Sequence, residues 1–171
     1  MKKIVIRKDN LLITNFKLKD INKNYIQWLN NKKLLKYSNN KFTIYNKKKC
    51  ITYFKSFEKS QNLFLSIKNN KLELIGTITC FFSCKNKICD IGILLGDKNH
   101  RSIGLGLKSW KMIMSFLAEN YSLKKISAGA LRENTKMINI FKKSKMAYDG
   151  FRKKNFYDRK FFDFVFYAKY F

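Results

Sequence analysis

The segment Arg101-Ser-Ile-Gly104-Leu-Gly106 has the residue types and spacing in this chain that most directly suggest chemistry. It follows an apolar run, Ile91 to Leu95, and a polar turn, and it leads into an amphipathic stretch. Glycine has no Cβ, so a backbone built from it can approach a ligand closely with its N–H groups uncovered. The first N–H groups of a helix have no partner within the helix and carry the positive end of its dipole. A strand that delivers the chain into such a helix start makes an anion site, suited to a phosphate-bearing ligand. The alternative is packing, since two glycines also let a helix lie close on a sheet. The spacing fits neither G-x-x-x-x-G-K-[ST] nor the three-glycine dinucleotide fingerprint.

The elements that must position this segment follow from periodicity. Val5 to Phe16 reads as a strand pair or one long broken strand, and Asp20 to Tyr37 as a helix with Ile21, Tyr25, Trp28 and Leu29 at three-to-four spacing. Lys47 to Lys59 is a second short helix. Strands Leu63 to Ile67, Leu74 to Phe82 and Ile88 to Leu95 are joined by hairpin turns. A helix from Ile103 to Tyr121 carries the stripe Ile103, Leu107, Trp110, Met114, Leu117 and Tyr121. Then come a strand at Lys125 to Ala130, a helix at Thr135 to Lys143, and a closing hairpin of Ala147 to Phe156 with Phe161 to Tyr170. The class is α+β, with a mainly antiparallel sheet and a β-α-β-α unit in the second half. A length of 171 residues fits one domain over residues 1–171, long enough to bury a core.

Composition narrows the function. Hydrophobic content of 46% and sixteen Phe argue for a folded chain despite a formal charge of +26. No apolar run has signal-peptide or membrane-span length, so a soluble, cytoplasmic protein is expected. Of the 37 basic residues only Arg7, Arg101, Arg132, Arg152 and Arg159 are arginine, and the lysines run from end to end. Specific readers of phosphate and bases favour the arginine fork. The charge therefore implies nonspecific contact with nucleic acid, and a field that recruits anionic ligands. Cys50, Cys80, Cys84 and Cys89 read as buried thiols: the chain has a single histidine, His100, and residues 74–95 look like two strands, so no metal is expected.

Arg-x-x-Gly-x-Gly after an apolar strand and before an amphipathic helix resembles the acetyl-CoA pyrophosphate loop of the GCN5-related N-acetyltransferases (GNAT). Asn134 to Phe151, NTKMINIFKKSKMAYDGF, is similar to that family's Asn-x-x-Ala-x-x-x-Tyr/Phe helix and the strand after it. The wording IGILLGDK, the segment YIQWLNN and the final Asp163-x-x-x-Tyr167 look most like the ribosomal-protein N-terminal acetyltransferase branch, which also holds acetyltransferases of amino sugars. The resemblance covers residues 10–170 and implies the GNAT fold, a mixed sheet of about seven strands with helices on both faces. Three departures stand out. Lys145-Met146 occupies the usual Gly-Phe, so the cap there should differ. Ser102-Ile103 replaces a common Gly-Lys, and Phe141 stands where many members have the tyrosine that protonates the departing thiolate.

The resemblance implies an enzyme that moves an acetyl group from acetyl-CoA to a primary amine by direct attack. The strand Ile91 to Leu95 should splay from its neighbour so that backbone groups of Ile93, Leu94 and Leu95 face the pantetheine and thioester, with Leu94 as catalytic oxyanion donor. Arg101, Ser102, Ile103, Gly104, Leu105 and Gly106 should hold the pyrophosphate. Asn134 should contact the pantetheine amide or simply cap its helix, and Phe141 and Lys143 should complete the cofactor site. Asp90 is the candidate base, taking the amine proton if burial shelters it, or else it caps the strand. Asp163 and Glu133 are weaker candidates; Tyr148, Tyr157 and Tyr167 are alternative proton donors, and His100 is a loop residue. Tyr25, Trp28 and Tyr45 should wall the acceptor side, because the family's first helices do so.

Aromatic walls suit a sugar ring, so the favoured acceptor is an amino sugar, free or nucleotide-linked. A protein N-terminus is the alternative, and a non-enzymatic polyanion-binding domain the second. The strand Phe161 to Tyr170, if exposed, could pair across a homodimer. Acetyl-CoA at about 100 times its dissociation constant should stabilise the fold by roughly 2.7 kcal/mol. Thermal melting with and without millimolar acetyl-CoA checks this; a shift with DNA but none with acetyl-CoA would favour the polyanion-binding alternative.

Overall fold

The computed structural model describes residues 3–101 and 103–171. The N-terminal stretch is a hairpin, β1 (Val5–Lys8) and β2 (Leu11–Asn15), turned at Asp9 with φ of 49°. Helices α1 (Lys23–Leu29) and α2 (Lys47–Glu58) precede the meander β3 (Leu63–Lys68), β4 (Leu74–Ser83) and β5 (Ile88–Leu95). Helix α3 (Leu105–Asn120), strand β6 (Lys125–Leu131), helix α4 (Thr135–Lys143) and the strands β7 (Ala147–Asp158) and β8 (Lys160–Tyr170) complete the chain. The sheet has eight strands in the order β1-β2-β3-β4-β5-β6-β8-β7, one more than expected because the first segment folds into two strands. Every neighbouring pair is antiparallel except β5 and β6.

Each face of the sheet has its own core. On one, Cys89 and Ile91 of β5, Ile126, Ala128 and Ala130 of β6, and Val165 and Tyr167 of β8 pack under α3 and α4. Trp110 and Phe141 are fully buried there, with ring centroids 5.5 Å apart. On the other face Phe16, Tyr25, Leu29, Cys50, Phe57 and Phe64 join α1 and α2 to the sheet, with Trp28 and Leu94 at the margin. Five consecutive residues of β3 are buried because helices cover it on both sides. The core under α1 and α2 extends to Leu94, and the β6-β8-β7 half of their face is met instead by the 3₁₀ turn Asn39–Phe42.

Two elements differ from expectation for local reasons. The first helix is Lys23–Leu29, not Asp20 to Tyr37: Asn22 caps its start through Tyr25 N–H at 2.9 Å, and the Asn30 amide bonds the Ile26 and Tyr45 carbonyls at 3.0 and 2.8 Å. That side chain ties the helix end to a distant loop. Ile103 is 64% exposed and lies off the α3 stripe, since α3 begins only after Gly104. Strand β8, expected as an exposed dimer strand, is interior, between β6 and β7; the edge strand is β7. Among the described residues no helix is long and apolar enough to cross a membrane.

The cap after α4 keeps the geometry that a glycine normally serves. Met146 N–H donates to the Phe141 carbonyl at 3.1 Å and Lys145 N–H to the Lys142 carbonyl at 3.0 Å, the two bonds of a Schellman motif. Lys145 takes the left-handed position with φ of 57°. The expectation of a different cap is thus corrected: the geometry is retained and a lysine bears its strain. Lys145→Gly should raise stability by roughly 0.5–1 kcal/mol, from strain relief less the backbone entropy of glycine. Chemical denaturation checks it, and thermal melting should rise by about 1–4 °C.

Candidate active site

Strands β5 and β6 are paired over only three residues, Ile88 with Lys125, Cys89 with Ile126 and Asp90 with Ser127. Beyond Asp90, β5 runs on to Leu95 held by β4 alone, and β6 runs on to Leu131 held by β8 alone. A cleft therefore opens between them. The β4–β5 ladder is continuous from Ser83 with Ile88 to Gly76 with Leu95, and just past it Gly96 N–H donates to the Ile75 carbonyl at 3.0 Å. On the other edge Lys125 N–H donates to the Lys87 carbonyl at 3.3 Å. Because backbone direction alternates along an antiparallel ladder, Leu94 N–H turns toward β4 while those of Ile93 and Leu95 face the cleft. This corrects Leu94 as oxyanion donor: its N–H is committed to the ladder.

The loop that follows is held at both ends. Trp28 lies against the Gly96 backbone so closely that a Cβ there would sit 1.9 Å from the indole. Asp97 Oδ1 accepts from Asn99 N–H at 2.7 Å in the 3₁₀ turn Lys98–His100, and it lies 3.3 Å from His100 Nδ1. Arg101 donates through its guanidinium to the Gly96 carbonyl, closing the loop on itself. Ser102 lies outside the described residues. Gly104 is the N-cap of α3 with φ of 84°, makes no side-chain cap bond and has open space where a Cβ would be. Leu105 is buried. A Cβ on Gly106 would lie 3.3 Å from Leu95 and 3.4 Å from Ile140. The two glycines thus divide the two readings: Gly104 serves an open left-handed turn, and Gly106 serves close packing.

The start of α4 opens on the same cleft, because β5 and β6 run parallel and each leads into a helix at its C-terminal end. Asn134 caps α4, its Oδ1 accepting Met137 N–H at 3.3 Å. Phe141 and Lys143 do not belong with it. Phe141 is wholly buried between Trp110 and Tyr167 and offers no surface to a ligand. Lys143 stands in the last turn of α4, about 12 Å along the axis from the cleft by helical rise.

On the α1/α2 face beside the cleft, Asp90 is exposed, so the shelter on which its role as base was made conditional is absent, and it accepts a hydrogen bond from Ser127 Oγ. Next to Ser127 on β6 is Gly129, over which Phe164 of β8 leans; a Cβ there would lie 2.1 Å from that ring. Phe166 pairs with Gly129 in register, and the Arg152 guanidinium lies 5.3 Å over its ring. The 3₁₀ turn Asn39–Phe42 bridges to the far end of this surface: Lys41 forms an ion pair with Asp158, and the rings of Phe42 and Phe156 are 6.0 Å apart. Ser127, Arg152, Phe164 and Phe166 were not singled out from sequence. The alternation Phe162, Phe164, Phe166 was visible, but not what lay opposite it.

Of the expected acceptor wall, only Trp28 borders the cleft. Tyr25 is 3% exposed and packed into the second core, where burial raises its hydroxyl pKa strongly. Tyr45 is held beside α1 by Asn30, and its hydroxyl donates to Asn40 at 2.9 Å. Asp163 accepts from Lys154 N–H at 3.0 Å, Tyr167 packs on Phe141, and Tyr148 and Tyr157 are exposed on β7. Cys50, Cys80 and Cys89 are buried and Cys84 is exposed, all as free thiols. A hydrogen bond with Cys89, together with burial, pushes the Cys80 thiol up. Among the described residues no group of three or more His, Cys, Asp or Glu side chains could hold a metal.

The sequence matches the acetyltransferase (GNAT) domain over residues 10–147. This chain belongs to that family. It is an N-acetyltransferase, and acetyl-CoA is its cosubstrate. The open edge of β5 and the uncapped first turn of α3 fit such a cosubstrate, offering N–H donors to an amide-bearing arm and to a pyrophosphate. No curated protein matches in sequence. In structure the GNAT domain is similar to the ribosomal-protein α-N-acetyltransferase RimL in complex with coenzyme A, at 14% identity and TM-score 0.86, over 98% of each chain. It is similar to the microcin C7 self-immunity acetyltransferase MccE in complex with acetyl-CoA and AMP, at 16% identity and TM-score 0.82, over 96% of this chain and 94% of that one. It is also similar to spermidine N-acetyltransferase from Vibrio cholerae in complex with CoA and spermine, at 14% identity and TM-score 0.84, over 95% and 96%.

The two glycines should fail differently. Gly104→Val has room for its side chain but strains the turn by about 1–2 kcal/mol and covers the first N–H groups of α3. Acetyl-CoA affinity should fall at least tenfold in calorimetric titration. Gly106→Val should instead lose about 1–3 kcal/mol of stability by overpacking against Leu95 and Ile140. Unchanged affinity in a folded Gly104→Val variant would show that this turn does not hold the pyrophosphate.

Proposed function

We propose that this GNAT enzyme acetylates the primary amine of a nucleotide-linked amino sugar, which binds on the open half of the α1/α2 face. The observation that carries this reading is the row Asp90–Ser127, Gly129, Phe164–Phe166 and Arg152 across β5, β6, β8 and β7. An exposed glycine and two half-buried rings make a flat apolar floor for a sugar ring. Arg152 supplies a fork for a phosphate on one side, and Asp90 a carboxylate for the amine on the other. A formal charge of +26 favours an anionic acceptor over a polyamine. A second reading, a protein N-terminus, draws on the same uncovered surface, which is long enough for an extended peptide.

When bound, acetyl-CoA supplies a thioester carbonyl open to attack by a neutral amine. The Ile93 and Leu95 N–H groups are oriented to donate to the acetyl oxygen, a backbone donor pair that needs no polar side chain in the cleft. Gly104 and the first turn of α3 hold the pyrophosphate, while Arg101 fixes the loop rather than the ligand. Asn134 lies at the pantetheine side. Asp90 takes the amine proton as an exposed carboxylate beside the cleft, a role that rests on its position and on orientation by Ser127 Oγ and not on burial. The chain offers no acid at Phe141, and none is required, because an ordinary thiol pKa of about 8.5 makes its anion an adequate leaving group. Trp28, over Gly96, closes the cleft on the acceptor side. Its action on soluble metabolites points to the cytoplasm.

Asp90→Asn should lower the rate near neutral pH by about 10²–10⁴ with acetyl-CoA affinity almost unchanged. Activity should partly return at high pH, where more of the amine is already neutral; a variant within about threefold of wild type across the range rules Asp90 out as the base. Arg152→Gln should raise KM for a nucleotide-linked amino sugar about tenfold or more and leave KM for the free amino sugar unchanged. Equal effects on both, or turnover of N-terminal peptides alone in a coenzyme A release assay, would reject the nucleotide-sugar reading.

A further inference from the structure

On the α1/α2 face, a second polar group stands beside Asp90, made by Lys125 of β6, Asp149 of β7 and Tyr170 of β8. Lys125 Nζ donates to Asp149 Oδ2 at 2.5 Å, and the Tyr170 hydroxyl donates to Asp149 Oδ1. Lys125 Nζ also lies 5.4 Å over the ring of Tyr170, its direct partner in the β6–β8 ladder. Asp90 pairs with Ser127 across the parallel ladder, and Lys125, two residues before Ser127, shares its face. Strand spacing of about 4.8 Å and a rise of about 3.3 Å per residue put the Asp90 and Lys125 backbones roughly 8 Å apart on the diagonal. A lysine side chain spans that gap. The Lys125 ammonium thus stands between two carboxylates and is turned to one of them: among the described residues, Asp90 is in no ion pair.

The backbone is shaped to hold that arrangement. Strand β7 has a bulge in which Tyr148 stands opposite Tyr167 and Gly150 opposite Phe166, so Asp149 is the extra residue. A bulge re-aims a side chain, and this one turns Asp149 onto the face of Lys125. Gly150 takes φ of 122°, a conformation that residues with a Cβ resist. Between Ser127 and Ala147 the ladder residue of β8 is Ala168, whose single methyl group leaves the carboxylate room to reach over that strand to β6. The hydrogen bond to Asp149 raises the Lys125 pKa above the usual lysine value, so this cation stays charged through the neutral range.

We infer that Asp149 is a positioning residue for acetyl transfer: it holds the Lys125 ammonium toward β8 and so leaves the Asp90 carboxylate free to take the amine proton. This rests on the reading of Asp90 as the base. Without Asp149, Lys125 is drawn to the carboxylate on its other side. A lysine partner there occupies lone pairs that the amine proton needs and makes the carboxylate a weaker base. Ser127 does not prevent this, because its hydroxyl bonds Asp90 Oδ1 and leaves Oδ2 open. The other neighbours of Asp90 on this face carry no charge: Phe81 opposite it on β4, with Phe57 of α2 against that ring, Ile88 on its own strand and Ala168 on β8. Tyr170 is the remaining titratable group, and Asp149 holds it too.

The first readout needs no acceptor. The carboxyl carbon-13 resonance of Asp90, followed against pH in the full chain, should titrate at lower pH in Asp149→Asn than in the wild type. Adding Lys125→Met should return the midpoint to the wild-type value. A midpoint unchanged by Asp149→Asn, or lowered and not returned by Lys125→Met, would overturn the inference whatever Asp90 does in the reaction. The second readout is coenzyme A release from acetyl-CoA with glucosamine, uridine-diphosphate glucosamine or a short peptide, whichever the wild type turns over fastest. In Asp149→Asn, kcat/KM near neutral pH should fall about tenfold, a part of the general-base contribution, and the double variant should recover to within about threefold of wild type. A loss that the double variant does not recover would mark a structural role for Asp149 and overturn the inference. A shifted midpoint with no change in rate would overturn it from the other side, showing that Lys125 is held by Asp149 but that Asp90 is not the base.

Discussion

Everything at the active site depends on how briefly β5 and β6 stay together. Each strand has a stronger claim on its other edge: β5 is zipped to β4 through to Leu95, and β6 to β8 through to Leu131. The parallel ladder between them holds for three residues and ends at Asp90 and Ser127, whose side chains add a hydrogen bond across the last pair. Past that point the strands diverge, and the N–H groups of Ile93 and Leu95 have no strand partner. An unpaired strand edge is ordinarily a liability. Here it is enclosed within the sheet, where a second chain cannot reach it and an amide-bearing arm can. The crossover from β5 through α3 to its parallel neighbour β6 then brings that helix's N-terminus to the mouth of the opening.

The same parting separates two environments. On the α3/α4 side, β5 and β6 rest on Trp110, Ile113, Leu117 and Phe141, all fully buried, so the cleft has a rigid wall. On the α1/α2 side, the helices stop at Leu94 and Trp28 and leave Asp90, Gly129, Phe164 and Phe166 uncovered. Donor chemistry thus meets a backbone surface, and acceptor chemistry meets a side-chain surface. Gly106 belongs to the first, allowing α3 to sit against Leu95 and Ile140; Gly96 belongs to the second, allowing Trp28 to lie on the strand's end.

Charge follows a similar division. The few acidic residues are spent on particular lysines: Asp20, 5% exposed, accepts from Ser66 Oγ at 2.6 Å and Lys17 N–H at 2.9 Å while pairing with Lys68. The lysines left over are not spread evenly in consequence. Several gather where α3, α4 and β8 meet, and Arg132, Arg152, Lys154 and Lys160 lie over aromatic rings of the last hairpin. Cation–π contact suits a chain with more cations than carboxylates, because a ring face partners a charge without neutralising it.

By itself, the sequence determined the local pieces. The hairpin turns, the boundaries of β5 and α4 and the Asn134 cap are set by interactions within a few residues, so periodicity and cap chemistry revealed them. The loop's resemblance to a family's phosphate loop named the cosubstrate for the same reason: it is one contiguous segment. Only the tertiary structure decided which way each group points. That Leu94 N–H faces β4 while Ile93 and Leu95 face the cleft depends on ladder register, which no single strand encodes. That Phe141 is sealed in the core, Tyr25 is buried and β8 is interior depends on partners in other elements of the chain. Arg152 and Phe166 were invisible as site residues because β8 slots between β6 and β7, a choice made by pairing between distant strands rather than by either strand's own letters.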